Sequence, residues 1–339
     1  MNTWPSEADI SSTWEQGTTE VVVSICCTTF NQEAYIENAL QSFLCQVTRF
    51  PFEILVHDDA STDRTVDIIQ AYQKKYPNLI RPIFQKQNQF SKGQFKPTCY
   101  TASFSHAKYI ALCEGDDYWV DSNKLQLQFD VMEEWTSVDF SFHAAYKSTN
   151  ETVSSIASWF YGDSIKLFDA QDIANLAGQF APTASYMLRR EVILNMPEWF
   201  FKIAPIGDIF LELYGANRGG ALYIPQPLSV YRVKAINSWH NRNKKGSKSR
   251  ADFFTRMIES VGLIENSLAL NRMNLKRAVL HCGLALDLLL QCDDTGFRNE
   301  IYKSVEESKN ISFTQFILYQ ARHFPTALRI FYKLRNFFG

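Results

Sequence analysis

From residue 21 onward the chain alternates short apolar runs with longer amphipathic ones. Residues 21–27 are apolar and largely β-branched apart from Ser24, the pattern of a strand buried on both faces. Ile36, Leu40, Phe43 and Leu44 then recur at helical spacing and predict a helix over 33–46. A second buried strand is predicted over 52–56, a second helix over 62–76 and a third strand over 80–84. A polar, helix-prone segment near 97–106 leads to a fourth strand over 108–113. This rhythm argues for a doubly wound, mostly parallel sheet with crossover helices, an α/β fold. Farther on, the pattern predicts a helix over 124–135, strands over 138–144 and 184–188, and a helix over 208–216. Short strands follow over 222–224 and 228–231. After residue 250 only helices are predicted, over 251–269, 274–292, 296–308 and 313–336. The expected plan is an N-terminal tail over 1–19, an α/β domain over 20–245 and a helical C-terminal region over 246–339.

Composition narrows this picture. A length of 339 residues suits one large domain with an appendage, or two domains. With 46% hydrophobic and 21% charged residues, a disordered or collagen-like chain is excluded. The net charge of −2 supplies no bulk attraction to nucleic acid, and no such partner is expected. Seven cysteines with no paired spacing suit neither a disulfide framework nor a zinc site, so reduced thiols in the cytoplasm are expected. The polar N-terminus has no signal-peptide core, and the apolar stretch 278–290 is interrupted by His281 and Asp287. A spanning helix is therefore not expected, whereas contact with the inner face of the cytoplasmic membrane stays open.

Ligands of open parallel sheets bind at the carboxyl ends of the strands. Thr28-Thr29-Phe30-Asn31 follow the first strand, His57-Asp58-Asp59-Ala60-Ser61-Thr62-Asp63 the second, and Glu114-Gly115-Asp116-Asp117 the fourth. Ser61 or Thr62 would cap the next helix, which leaves the carboxylates at the strand end unexplained. Three carboxylates within four residues repel one another, unless the segment is only a polar turn, and a divalent cation is the natural compensation. Oxygen-only ligands favour Mg²⁺ or Mn²⁺ over zinc.

The stretches VVVSICCTTFNQEAYIENALQSFLCQ, EILVHDDASTDRTVDII and YIALCEGDDYWVDSNKLQLQ resemble family 2 of the glycosyltransferases, with the GT-A fold. Gly207-Asp208-Ile209 and GGALYIPQPLSVYRVKAINSW are similar to the same family, particularly its bacterial polysaccharide members. Four motifs in the right order cover residues 20–240 or so; the helical C-terminal region lies outside the resemblance.

That resemblance implies an inverting, metal-dependent enzyme using Mn²⁺ or Mg²⁺. It would move a sugar from a nucleotide-sugar donor, UDP-linked by default, to a hydroxyl of a saccharide or lipid-linked acceptor in cell-surface polysaccharide synthesis. Thr28, Phe30 and Asn31 would line the nucleotide pocket. Asp58 would accept the pyrimidine imide N–H, with Asp59 supporting the loop. Asp116 and Asp117 would hold the ribose and the metal. Glu114 stands where the family usually has the first Asp of its DXD motif, one methylene longer. Asp208 matches the general base, although a helix cap alone is its plainer reading. Tyr231 and Arg232 match a segment folding back over the diphosphate. Lys234 occupies the position of a common His ligand, which leaves His240 as a substitute metal ligand or as a surface residue. A sugar-phosphate nucleotidyltransferase or a dehydrogenase would need a glycine-rich phosphate loop, and TTFNQEAY has none. A catalytically inactive scaffold of the same fold stays open.

Two basic segments remain. RNKKGSKSR over 242–250 is either a solvated linker or a lid over the donor diphosphate. Residues 313–339 carry six Phe and four cations without an acid. They fit a helix on the membrane surface, or one packed on the catalytic domain or on a second subunit in a homo-oligomer.

Overall fold

The structure is a computed structural model that describes residues 4–93, 95–149, 152–233, 235 and 245–337, the last five by backbone alone. The chain forms two compact units. The first comprises residues 1–170, 179–201 and 206–238, and the second residues 171–178, 202–205 and 239–339.

The first unit is built on one mixed sheet. Its parallel half consists of β1 (Val23–Thr29), β2 (Phe52–Asp58), β3 (Ile80–Phe84) and β4 (Tyr109–Glu114). The other half adds β5 (Tyr118–Trp119), β6 (Phe140–Thr149), β7 (Thr152–Ser158), β8 (Lys166–Phe168), β9 (Met187–Arg189) and β10 (Ala221–Arg232). The order is β3-β2-β1-β4-β9-β6-β10-β5, with β7 on the edge of β6 and β8 paired to β10. β9 runs antiparallel to both β4 and β6 and so joins the halves, while β10 runs parallel to β6. The sheet is thus mostly parallel where sequence periodicity is strongest.

β1 is buried on both faces: Val23, Ile25 and Cys27 face one core, and Ser24 on the other face bonds Glu53 and Ser105. All seven cysteines are free thiols. Crossover helices α2 (Ile36–Leu44) and α3 (Thr65–Lys75) cover the parallel half, α2 burying Ile36, Ala39, Leu40, Phe43 and Leu44. The N-terminal segment is anchored too. A capping box between Ser6 and Asp9 starts α1 (Glu7–Ser11), Ile10 is buried, and Tyr76 donates to the Pro5 carbonyl at 3.0 Å.

The sequence pattern predicts two short strands near 222–231, and the structure joins them into β10. The register shifts between Ile224 and Ser229, across Pro225 and Pro227. Prolines cannot donate to the ladder, so the interruption reads in sequence as a gap. An aromatic cluster fills this half: Phe142 packs against Phe180, Tyr223, Phe140, Tyr161 and Phe168, with ring centroids 4.5–6.1 Å apart.

The described part of the second unit is helical, with helices at Lys248–Ser267, Asn274–Leu290, Asp294–Glu307, Phe313–Gln320 and Pro325–Phe337. Ala285, Leu289, Phe297, Ile301 and Leu318 form its core. The single helix predicted over 313–336 is two. Pro325 opens the second because it lacks the N–H that a continuing helix requires.

Candidate active site

The register of β1 with its neighbours places Thr29 beside Asp58 and Thr28 beside Glu114. The three strand ends singled out in the sequence therefore lie side by side at one edge of the sheet.

The loops after β1 and β2 are laced together. Thr62 N donates to Asn31 Oδ1 at 2.7 Å, and Asn31 N donates to Ser61 Oγ at 2.8 Å. Gln32 N donates to Thr65 Oγ1 and Glu33 N to Asp63 Oδ2. Asn31 and Ala60 hold left-handed backbone at φ 53° and 66°, the kind of strain that persists where surroundings over-determine a loop. Asp58 is buried, and both its oxygens accept from Ser61, one from the amide at 2.9 Å and one from the hydroxyl. Burial pushes its carboxyl up against the opposing pull of these bonds. Asp59 accepts from Gln89 N and Phe90 N at 2.8 and 2.9 Å, so its carboxylate ties down the neighbouring loop. Thr28 and Phe30 are partly exposed at the mouth of the laced loops.

The acidic turn after β4 is fixed from two sides. Gly115 N donates to Thr28 O and Asp117 N to Glu114 O, both at 3.0 Å. A Cβ at Gly115 would lie 2.5 Å from Gln32 Oε1 and 2.9 Å from Thr29 Cβ, so no larger residue fits unless the first loop moves. Gly115→Ala should therefore destabilise the fold by about 1–3 kcal/mol, the usual cost of forcing a methyl into a packed site. Thermal unfolding of the variant checks this, and an unchanged melting temperature contradicts it.

From the other side, Arg232 N donates to Asp117 Oδ1 at 2.8 Å. The Arg232 side chain is buried between the rings of Tyr35 and Tyr118, its guanidinium carbon 5.0 and 4.6 Å from their centroids. Its two terminal nitrogens bond Asp116 O at 2.6 Å and Asn38 Oδ1 at 3.2 Å. One of these bonds holds the turn and the other reaches α2, while Nε is buried without a hydrogen-bond partner. Tyr231 lies partly exposed beside it, and burial, then Asp117, Glu114, Asp116 and Asp208, suppress its ionisation.

Asp208 is the first residue of the helix Asp208–Ala216, where its own amide and the helix N-terminus face its carboxylate. Burial nevertheless pushes its carboxyl up to about 6. Glu114 is held well above the ordinary carboxylate range by burial, followed by Asp116, Asp208 and Asp117. Its side chain opens to solvent, which screens part of that repulsion. Asp117 is raised by burial and Asp116, with the Arg232 amide and charge opposing. Asp208 acting on Glu114 places the start of the Asp208 helix beside the turn after β4, in one acidic centre.

A divalent cation is the test of this centre's chemistry. Asp117 Oδ2 is buried and has no hydrogen-bond partner, as expected of an oxygen that awaits a ligand. The neighbouring donors are all carboxylate oxygens, the set a hard cation takes. Among the described residues, no group of three or more His, Cys, Asp or Glu side chains is placed to hold a metal ion. The donors fit a cation bound through one or two carboxylates and completed by phosphate oxygens. Lys234, His240 and residues 242–244 lie outside the described residues.

Two features escape sequence reasoning. Glu212, one helical turn after Asp208, is buried and accepts from Tyr186 Oη and from Ala181 N at 2.5 and 3.1 Å. Its signal was a lone acid in the apolar run IFLELYGA. Lys124 is fully buried, its Nζ 3.9 Å from the Trp119 ring centroid, and burial pulls its ammonium down to about 7. At the start of a polar helix it reads as a solvated lysine.

Comparison with known proteins agrees with this architecture. The family model for glycosyl transferase family 2 matches residues 24–194, and the chain belongs to that family. An uncharacterized protein of Mycobacterium tuberculosis is 34% identical over 224 residues, 65% of this chain and 61% of the relative. The chain thus spans about three-fifths of that relative's length. A dTDP-rhamnosyl transferase of Shigella flexneri is 23% identical, covering 70% of this chain and 78% of its own. The crystal structure of Staphylococcus aureus TarS residues 1–349 in complex with UDP-GlcNAc superposes with a TM-score of 0.62 at 17% identity, covering 91% of this chain and 88% of that one. That likeness establishes the GT-A fold. Among the described residues no helix is long and apolar enough to cross a membrane.

Proposed function

We propose that the protein is an inverting glycosyltransferase that moves a sugar from a nucleotide-diphosphate donor to a hydroxyl of a saccharide or lipid-linked acceptor. The carrying observation is the acidic centre in which Asp116, Asp208 and Asp117 lie close enough to Glu114 to raise its proton affinity, at the carboxyl ends of the strands. The nucleotides in the TarS structure and the dTDP donor of the Shigella relative support a pyrimidine nucleotide, with UDP the first choice.

Thr28, Phe30 and Asn31 would line the base and ribose pocket. Asp58 has lone pairs beyond those used by Ser61 and can accept the imide N–H, while Asp59 keeps the adjoining loop in place. Asp117 and Asp116 would hold Mn²⁺ or Mg²⁺, with Glu114 or His240 as further ligands. When bound, the cation neutralises charge developing on the departing diphosphate. Arg232 acts as a positioning residue, because its two terminal nitrogens already bond Asp116 of the turn and Asn38 of α2. Asp208 takes the proton from the acceptor hydroxyl as that oxygen attacks opposite the leaving group, which inverts the anomeric centre. The test is a panel of nucleotide sugars with Mn²⁺, reading nucleoside diphosphate release and the anomer of the product by NMR. An α-linked donor should give a β-linked product. Retention of configuration, or no release from any donor, contradicts the proposal.

The C-terminal helices support a peripheral membrane contact. Phe313 and Phe324 are 72% and 69% exposed, and Phe316 and Phe331 are exposed as well. Arg329 is paired with Asp294 and Arg322 packs over Tyr319, so the aromatic side chains rather than these cations would carry the contact. Replacing Phe313, Phe316 and Phe324 together by Ser should abolish most flotation with phosphatidylglycerol liposomes. Unchanged flotation contradicts this, and a shift from dimer to monomer in the variant would assign the face to a second copy.

A further inference from the structure

β6 and β10 run parallel with Lys147 opposite Tyr231, so the two side chains emerge on one face of the sheet. On the other side of β6, the pairing with β7 shifts register between Tyr146 and Ser148, so that three β7 residues lie opposite Lys147 alone. Such bulges bend the strand that carries them, here the one leading to Trp159, and are common beside active sites. Trp159, immediately after β7, meets Tyr231 with ring centroids 5.5 Å apart and planes at 82°. Lys147 Nζ lies 4.5 Å from the Trp159 ring centroid. The Trp159 backbone is left-handed at φ 53°, a genuine outlier for a bulky residue. Strain of this kind persists where surroundings hold a side chain in a required place, and it clusters at ligand sites.

The ring is only partly buried, and Phe160 beside it is exposed. Lys147 is exposed and makes no ion pair among the described residues. The group adjoins the reaction centre directly: the residue after Tyr231 donates its amide to Asp117 at 2.8 Å. Nothing in the donor and base assignments uses Trp159 or Lys147.

We infer that Trp159, Tyr231 and Lys147 form a saccharide subsite that takes an acceptor pyranose bearing an anionic group. The apolar C–H face of the sugar packs on the open part of Trp159, an amphipathic ring suited to a ligand that is apolar on its faces and polar at its rim. The anion, a ring carboxylate or a phosphate, faces the Lys147 ammonium. This rests on the glycosyltransferase reading of the acidic centre and adds the charge and ring type of the acceptor.

Saturation-transfer NMR on the full chain with UDP and Mn²⁺ tests it, using methyl β-D-glucopyranoside, methyl β-D-glucuronopyranoside and glucose 1-phosphate as probes. At least one anionic sugar should give a stronger signal than the neutral glycoside, and the stronger of the two identifies carboxylate or phosphate as the anion. Trp159→Ala should reduce all sugar signals at least fivefold. Lys147→Ala, an exposed change that leaves the sheet intact, should bring the anionic signals down to the neutral level. The UDP-induced rise in melting temperature should be the same in both variants as in the parent. Equal signals from neutral and anionic sugars in the parent, or undiminished signals in Trp159→Ala, overturn the subsite. Failure of UDP to shift the parent's melting temperature strikes the underlying reading instead, so the two failures are distinguishable.

Discussion

Replacing Asp208 by Asn should lower the turnover number by about 10³-fold, the range expected when a positioned general base is lost. The amide is nearly isosteric and can still sit at the helix N-terminus, so folding and nucleotide affinity should hold. The variant should therefore lose kcat without losing donor binding, the signature of an interaction needed in the transition state. The pH dependence has a definite sign. Burial raises the Asp208 carboxyl to about 6, and only its ionised form can accept a proton. Rates should therefore fall about tenfold per pH unit below 6 and level off above it. Steady-state rates from pH 4.5 to 8, with nucleotide binding measured in parallel, check both statements. Normal turnover in Asp208→Asn would remove the base assignment.

Asp117→Asn should be equally severe for a different reason. One Asp117 oxygen accepts the Arg232 amide and the other is buried without a partner. An amide at this position must turn its NH₂ either toward the Arg232 N–H, where two donors oppose each other, or into the place of the free oxygen. Each choice costs about 1–3 kcal/mol in hydrogen bonding alone, and the second also removes the anionic ligand. Turnover should fall by about 10³-fold, comparable to the loss of one preorganised charge-stabilising group. Unlike Asp208→Asn, this variant should also lose any strengthening of nucleotide binding by Mn²⁺. Calorimetric titrations of UDP with and without Mn²⁺ separate the two variants. Equal Mn²⁺ enhancement in Asp117→Asn and the parent would exclude Asp117 as a ligand.

The parallel half of the sheet was legible because each strand is a short apolar run followed by an amphipathic helix, and burial on both faces leaves little ambiguity. The acidic turn was legible for the same reason, since charges directly after such a run mark the point where the chain leaves the core. The other half was not. β5 has two residues and β8 three, too few for any periodicity. β7 is exposed and polar along most of its length, so no apolar face marked it. Prolines hid the continuity of β10. Within the site, the sequence cannot show that Ser61 engages both oxygens of Asp58, or that two tyrosines enclose Arg232. Those facts come from loops brought together by the register of β1 with β2 and of β10 with β5. Trp159 carried no signal in sequence, because its meaning lies in a backbone angle and in a lysine twelve residues earlier.

Every role assigned above depends on a nucleotide sugar binding across the carboxyl ends of β1, β2 and β4. Crystals soaked with UDP and Mn²⁺ show directly whether it does. The base should lie between the loops at 28–31 and 58–61, and the diphosphate with its cation against Asp116 and Asp117. Nucleotide density at another surface, with this edge of the sheet empty, would contradict it.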